Sequence, residues 1–277
     1  MRVKSAVFIL CLAFPIVAIA DRLRLMVLDV GEGQSILLIR ESHGLLIDTG
    51  HAGQGHSVLD AIQAEGVHTI EQIVLTHLHP DHASGYFRLR EAYPNALVSE
   101  SRHRVPALAA PDMTRWVAET LDREPVNLKQ VLRRGDRWIW RDVKLDILWP
   151  EKPEGVNLNR HSLVIELSFG KVSALIMGDA DKVVEAELLK RRSLPSDVTL
   201  LVVGHHGAAD SSSERFLDVV RPQIAAVSVN AGNVRGYPSA ATLERVQRYS
   251  RKVHRTDRDG SLCLEWRREE REPQECK

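Results

Sequence analysis

The sequence has 277 residues, with 37 Lys+Arg against 37 Asp+Glu, 44% hydrophobic residues and 5% aromatic ones. That is ordinary globular composition with ample apolar material for a large core. A formal net charge of zero gives no global field to gather a polyanion, so nucleic-acid binding would require a local basic patch.

Residues 1–20 read as an export signal. Arg2 and Lys4 form a basic start, Ser5 to Ile19 an apolar stretch, and Ala18-Ile19-Ala20 a small-x-small cleavage site before Asp21. The apolar part is short for a membrane span, and an uncleaved anchor helix is the alternative reading. Cleavage leaves an exported, periplasmic or secreted chain with Cys263 and Cys276, in a compartment where a disulfide is allowed. A mobile charged tail around Cys276 argues against the bridge, so a free, buried Cys263 stays open as well.

Short runs rich in Val, Ile and Leu at Arg24–Val30, Ser35–Arg40 and Leu45–Asp48, separated by Gly-containing turns, predict an opening antiparallel meander. A helix over Ser57–Glu65, a strand over Gln72–Thr76 and a helix from Asp81 to Ala92 follow. Between Ser101 and Leu128 three prolines interrupt the pattern; only Asp112–Arg123 reads as helical, and a surface connection is expected there. Strands near Val143–Leu148, Leu163–Phe169 and Val172–Met177, a helix over Asp181–Arg191 and a strand at Val198–Val203 come next. Ile224–Val227, Ala240–Arg248 and Ser261–Trp266 continue the strand and helix alternation. Two halves that each run strands first and helices after imply two mixed sheets packed face to face with helices outside. The expectation is an α/β αββα four-layer sandwich, with residues 21–277 as one domain.

The segment that carries chemistry is Thr76-His77-Leu78-His79-Pro80-Asp81-His82, at the end of an apolar run. His77 and His79 alternate along extended chain, and Asp81 and His82 turn back at a helix start. Such a loop can present two ligands to each of two divalent cations roughly 3.5–4 Å apart. The bland alternative is a His-rich surface turn. Further on stand Asp48 in Leu46-Ile47-Asp48-Thr49-Gly50, Asp179 in Met177-Gly178-Asp179-Ala180, and the pair His205-His206 in Gly204-His205-His206-Gly207. Singly, each is ordinary turn chemistry; in this order they are not.

His-x-His-x-Asp-His after an apolar strand is similar to the signature of the metallo-β-lactamase superfamily, and the three outer motifs resemble that superfamily's others. The resemblance implies a metallo-β-lactamase-like fold and two divalent ions, zinc with manganese as the alternative. It gives His77 and His79 to one ion, Asp81, His82 and His205 to the other, and Asp179 to both. Asp81 and His206 are the candidate catalytic groups, His206 by touching substrate or donating a proton to the leaving group. Sequence leaves the roles of the adjacent His205 and His206 exchangeable. Asp48 is expected to support the loop rather than bind metal.

Leu28-Asp29-Val30-Gly31-Glu32-Gly33-Gln34-Ser35, Asn159-Arg160-His161-Ser162 and Arg255-Thr256-Asp257-Arg258-Asp259-Gly260 narrow the likeness. They resemble the hydrolase domain of the ComEC/Rec2 competence family in a free-standing form, over nearly all of Leu23 to Trp266. Two departures stand out: Tyr237 occupies the place of a His in relatives, and His161 replaces a clean middle His motif. An Asp at 179, where two-zinc β-lactamases place a Cys, disfavours antibiotic hydrolysis. The resemblance implies a metallo-hydrolase acting on a small-molecule or nucleic-acid phosphodiester. The alternatives are a hydrolase of small esters, lactones or thioesters, and a catalytically silent module that keeps metal for structure.

Overall fold

The structure, a computed structural model, describes residues 22–104, 106, 110–152 and 155–276, and the expected signal segment lies outside them. β1 (Arg22–Val27), β2 (Ile36–Arg40) and β3 (His43–Ile47) form the antiparallel meander. From β3 the chain crosses through α1 (Gly55–Ala64) to β4 (Thr69–Leu75), now parallel. After α2 (Pro80–Ala83) and α3 (Tyr86–Ala92) comes β5 (Leu97–Ser101), and after α4 (Asp112–Asp122) comes β6 (Lys129–Leu132), both parallel additions.

The second half repeats this plan. β7 (Arg137–Trp140), β8 (Val143–Trp149), β9 (Val164–Phe169) and β10 (Val172–Ile176) are antiparallel neighbours. β11 (Leu200–Val202), β12 (Ile224–Val227) and β13 (Lys252–Arg255) extend the sheet in parallel, reached through α5 (Lys182–Lys190), α6 (Glu214–Val220) and α7 (Ala240–Tyr249). A short α8 (Thr256–Asp259) then returns the chain to the first sheet as β14 (Leu262–Arg267) and β15 (Gln274–Glu275), beside β1.

The αββα sandwich is present. Leu25, Leu38 and Ile47 of the first sheet meet Leu145, Ile165 and Ile176 of the second in one buried apolar layer. The outer face of the first sheet is covered through Val58 and Ile62 of α1, Leu89 of α3 and Val117 and Leu121 of α4. Val184 and Leu188 of α5, Phe216 and Leu217 of α6 and Val246 of α7 cover the second. Apolar residues at helical spacing bury one stripe per helix, while a strand between two covered faces reads as a continuous apolar run, as Ile36-Leu37-Leu38-Ile39 of β2 does.

Two local expectations change, and one open alternative is decided. The helix expected over Asp81–Ala92 is broken into α2 and α3 at Ser84-Gly85. A Cβ at Gly85 would lie 2.1 Å from the carbonyl oxygen of Thr49, so the chain there is pressed against the β3 turn. The segment expected as a surface connection instead packs α4 into the core beneath the metal loop. Cys263 and Cys276 form a disulfide between β14 and the β15 end, with Cα atoms 5.4 Å apart.

Candidate metal centre

Asp48 follows β3, the His77–His82 loop follows β4, Asp179 follows β10, and His205-His206 follow β11. These are the carboxyl ends of parallel strands in two facing sheets, where open sheets place their sites. The loops meet across the sandwich edge and bring their polar side chains together.

His77, His82 and Asp179 each offer a ligand atom within 4.8 Å of the others, and Asp81, His82 and His206 do the same. His82 Nε2 lies 3.0 Å from Asp179 Oδ1, and His206 Nε2 lies 3.5 Å from the same oxygen. His77 Nε2 is 3.7 Å from Asp179 Oδ2 and 2.9 Å from His79 Nδ1. His206 Nε2 stands 3.4 Å from Asp81 Oδ2. Atoms at such separations can share a cation held roughly 2 Å from each.

Of the adjacent histidines, His206 faces the cluster and His205 stands at its rim. Both have left-handed backbone, φ 51° for His205 and 52° for His206, a conformation costly for residues with a Cβ. It turns the two rings apart. His206 Nδ1 donates to the Ser228 carbonyl at 2.9 Å, which aims Nε2 at the carboxylates. His205 Nδ1 lies 3.2 Å from Asp210 Oδ1, and its Nε2 is 3.1 Å from Asn159 Nδ2, 3.4 Å from the Tyr237 hydroxyl and 4.0 Å from Asp179 Oδ2. His161 is outside the cluster: its ring nitrogens face the carbonyls of His103 and Gly155.

Asp48 is buried beneath the loop. Its Oδ1 accepts from the Thr76 amide at 2.7 Å, and its Oδ2 accepts from Gln34 Nε2, Thr76 Oγ1 and His82 Nδ1 at 2.7–2.8 Å. Gln34 stands in the motif over residues 28–35 but had no partner legible in sequence, and nothing there pointed to the Ser228 carbonyl, which lies just past β12, far along the chain. Asp29, by contrast, is exposed and closes a local turn onto the Gly31 amide. Ser212 and Ser213 give their amides to the Glu185 carboxylate, just before α6.

The electrostatics of the pocket favour cations. Burial, with the charge of His82, holds His77 well below the usual imidazole range, and burial lowers His79 too, so both keep free lone pairs. Burial opposes charge on Asp179 and Asp81, yet neighbouring imidazoles hold both carboxyls below their ordinary values. His82 and His206 are raised despite burial by Asp179 with, respectively, Asp48 and Asp81. Two buried carboxylates thus demand positive charge, and the fully buried Asp179 Oδ1, although 3.0 Å from His82 Nε2, receives no well-directed hydrogen bond. A buried carboxylate oxygen poorly served by hydrogen bonds among imidazole nitrogens fits a divalent metal and its N/O donor preference.

The profile of the metallo-beta-lactamase superfamily matches residues 28–231, a span that includes every group of the cluster. The chain belongs to this superfamily. Recombination protein 2 of Haemophilus influenzae is 31% identical over 256 residues, an alignment covering 90% of this chain and 30% of that protein. The chain therefore spans about a third of the length of that relative, and carries the Rec2 likeness seen in its motifs. Hydroxyacylglutathione hydrolase of Aeromonas salmonicida is 28% identical over 205 residues, covering 72% of this chain and 70% of that enzyme. Among solved structures, the metallo-beta-lactamase fold protein YhfI of Bacillus subtilis superposes with a TM-score of 0.59 at 12% identity, over 89% of this chain and 100% of that one. Superfamily membership gives the metallo-hydrolase fold and a metal-binding place; the site geometry adds which groups face it.

Proposed function

We propose that the protein is an exported hydrolase of phosphodiesters, in a small molecule or a nucleic acid, that works with two divalent ions, zinc or manganese. The observation that carries the two-ion reading is that Asp179 stands between two sets of donors, with Oδ2 3.7 Å from His77 Nε2 and Oδ1 3.0 and 3.5 Å from the Nε2 atoms of His82 and His206. His77 and His79 would hold one ion, Asp81, His82 and His206 the other, and Asp179 both. When bound, such a pair activates water as a nucleophile and neutralises charge on a phosphoryl oxygen.

The chain's own groups would do the rest. Asp48 accepts the Nδ1–H of His82 in a hydrogen bond, leaving Nε2 directed at the carboxylates. The Ser228 carbonyl does the same for His206. Asp81, between His82 and His206, is placed to take a proton from the attacking water. At the rim, the Asn159 amide, His205 and the Tyr237 hydroxyl lie together as contacts for substrate oxygens.

The likeness to Recombination protein 2 supports a phosphodiester, while the carboxylate at 179 speaks against antibiotic hydrolysis without separating phosphodiesters from esters, lactones or thioesters. Similarity to hydroxyacylglutathione hydrolase favours a second reading, thioester hydrolysis, because it extends over 70% of that enzyme. The Cys263–Cys276 disulfide supports export, since such bonds persist outside the reducing cytosol. Among the described residues no helix is long and apolar enough to cross a membrane.

Purified protein loaded with zinc or manganese should cleave bis-p-nitrophenyl phosphate or single-stranded DNA, assayed beside a lactone, a thioester and a cephalosporin. Cleavage of the thioester or lactone with both phosphodiesters untouched would replace the first reading by the second.

A further inference from the structure

Beside the metal cluster lies a cavity of about 200 Å³, and His77 belongs to both. Its inner wall is the metal loop, and its outer wall includes His103, Arg104 and the α4 residues Thr114, Arg115 and Ala118. The volume falls below the ~300 Å³ at which pockets begin to enclose whole drug-sized ligands, so it suits one ring system. His161 frames it, with one ring nitrogen 3.0 Å from the His103 carbonyl and the other 3.2 Å from the Gly155 carbonyl.

The lining selects the kind of group. Arg104 and Arg115 border the cavity, but Arg104 is paired with Glu100 and with Asp122, and Arg115 with Asp112. With their charges already matched, these guanidinium groups leave no surplus for an anion. Leu78, Leu158 and Ala118 supply apolar surface. Thr114 supplies an unmet polar demand: the residue is 3% exposed, and its hydroxyl is buried with no hydrogen-bond partner. Burial, together with His161, lowers the pKa of His103, which keeps that neighbouring ring neutral. Glu119 and Asp122 also line the cavity, each set against a cation, Arg123 and Arg104, so its charges are matched. Apolar faces with buried polar groups among them fit a heterocyclic base, and an acyl chain would leave those groups unpaired.

We propose that this cavity receives the nucleobase next to the phosphodiester held at the cluster, making the enzyme selective for nucleotide substrates. The inference rests on the phosphodiester reading above, yet it can be tested apart from it, because a nucleoside contains no phosphodiester. Adenosine and thymidine are titrated calorimetrically into the zinc-loaded full-length protein, wild type, Ala118→Phe and Thr114→Val. At least one nucleoside should bind the wild type. Ala118→Phe, which fills the cavity, should weaken binding at least tenfold, and Thr114→Val, which keeps its volume, roughly three- to tenfold. Circular dichroism and metal content check folding, and should Ala118→Phe misfold, Thr114→Val decides. No binding of either nucleoside to the wild type, or equal binding by wild type and variants, overturns the proposal. Loss of nucleoside binding in the variants, with bis-p-nitrophenyl phosphate uncleaved by the wild type, keeps the pocket and removes the phosphodiester reaction.

Discussion

His206 Nε2 lies 3.4 Å from Asp81 Oδ2, whereas its neighbour His205 is drawn 3.2 Å from Asp210 Oδ1 on the other side of a left-handed turn. The two imidazoles are adjacent in sequence and divergent in space, so their removal should have different consequences. His206→Ala should lose one equivalent of metal by elemental analysis after reconstitution. His205→Ala should keep both and show its defect in turnover. The reverse pattern would exchange their roles.

Asp179 is the point where the two ligand groups meet, through Oδ1 toward His82 and His206 and through Oδ2 toward His77. Asparagine there keeps the shape but gives up the negative charge that lessens repulsion between two cations. Loss of a supporting partner around a metal costs roughly 10–100-fold, and a bridging ligand should exceed that. Asp179→Asn is therefore expected to retain its circular dichroism spectrum and to lose both metals and more than about 99% of activity. Full activity in this variant on whatever the wild type hydrolyses would end the two-metal reading.

How far the sequence could be read follows from where each contact originates. The metal loop was legible because its side chains lie in one run, His77 to His82, after an apolar strand. The sandwich was legible because strand and helix periodicities are strong in the buried elements. β6 and β7 were not: Lys129-Gln130-Val131-Leu132 and Arg137-Trp138-Ile139-Trp140 are short and partly exposed, so burial leaves a weak pattern. The break at Gly85 depends on a carbonyl of β3's turn, and the disulfide depends on β15 pairing with β14. The divergence of His205 and His206 rests on two positive φ angles that no propensity of His requires.

Asp48 gives a prediction about support without ligation. Its Oδ2 receives three donors and its Oδ1 receives the Thr76 amide. In Asp48→Asn, if the amide oxygen serves the three donors, the new NH₂ must face the Thr76 N–H. That mismatch should cost about 1–3 kcal/mol of stability. It also loosens His82, so metal affinity should fall roughly 10–100-fold with the stoichiometry unchanged at saturation. Chelator competition measures the affinity and urea unfolding the stability; a variant with wild-type values in both would show that Asp48 does not hold the loop.

Glu71 joins the two sheets far from the site. On β4, it accepts from Arg141 Nε and Nη2 at 2.8 and 2.7 Å and from Trp140 Nε1 at 2.7 Å, groups at the β7–β8 turn. The Arg141 hydrogen bonds lower its pKa, with Trp140 adding to them against a desolvation cost. A carboxylate whose folded pKa is depressed contributes stability that is present above the unfolded value, about 4.3, and disappears as pH falls through the folded value. The side chain is 32% exposed, so solvent screening limits the pair to about 1 kcal/mol or less. In a protein of this size that corresponds to roughly 2–4 °C in Tm. Glu71→Gln should accordingly melt a few degrees below wild type at pH 7, and the two curves should converge as the pH is lowered below 4. Scanning calorimetry on the metal-free proteins separates this from metal loss. A gap that stays constant from pH 7 to pH 3 would mean that packing at Trp140, and not the Glu71 charge, links the sheets.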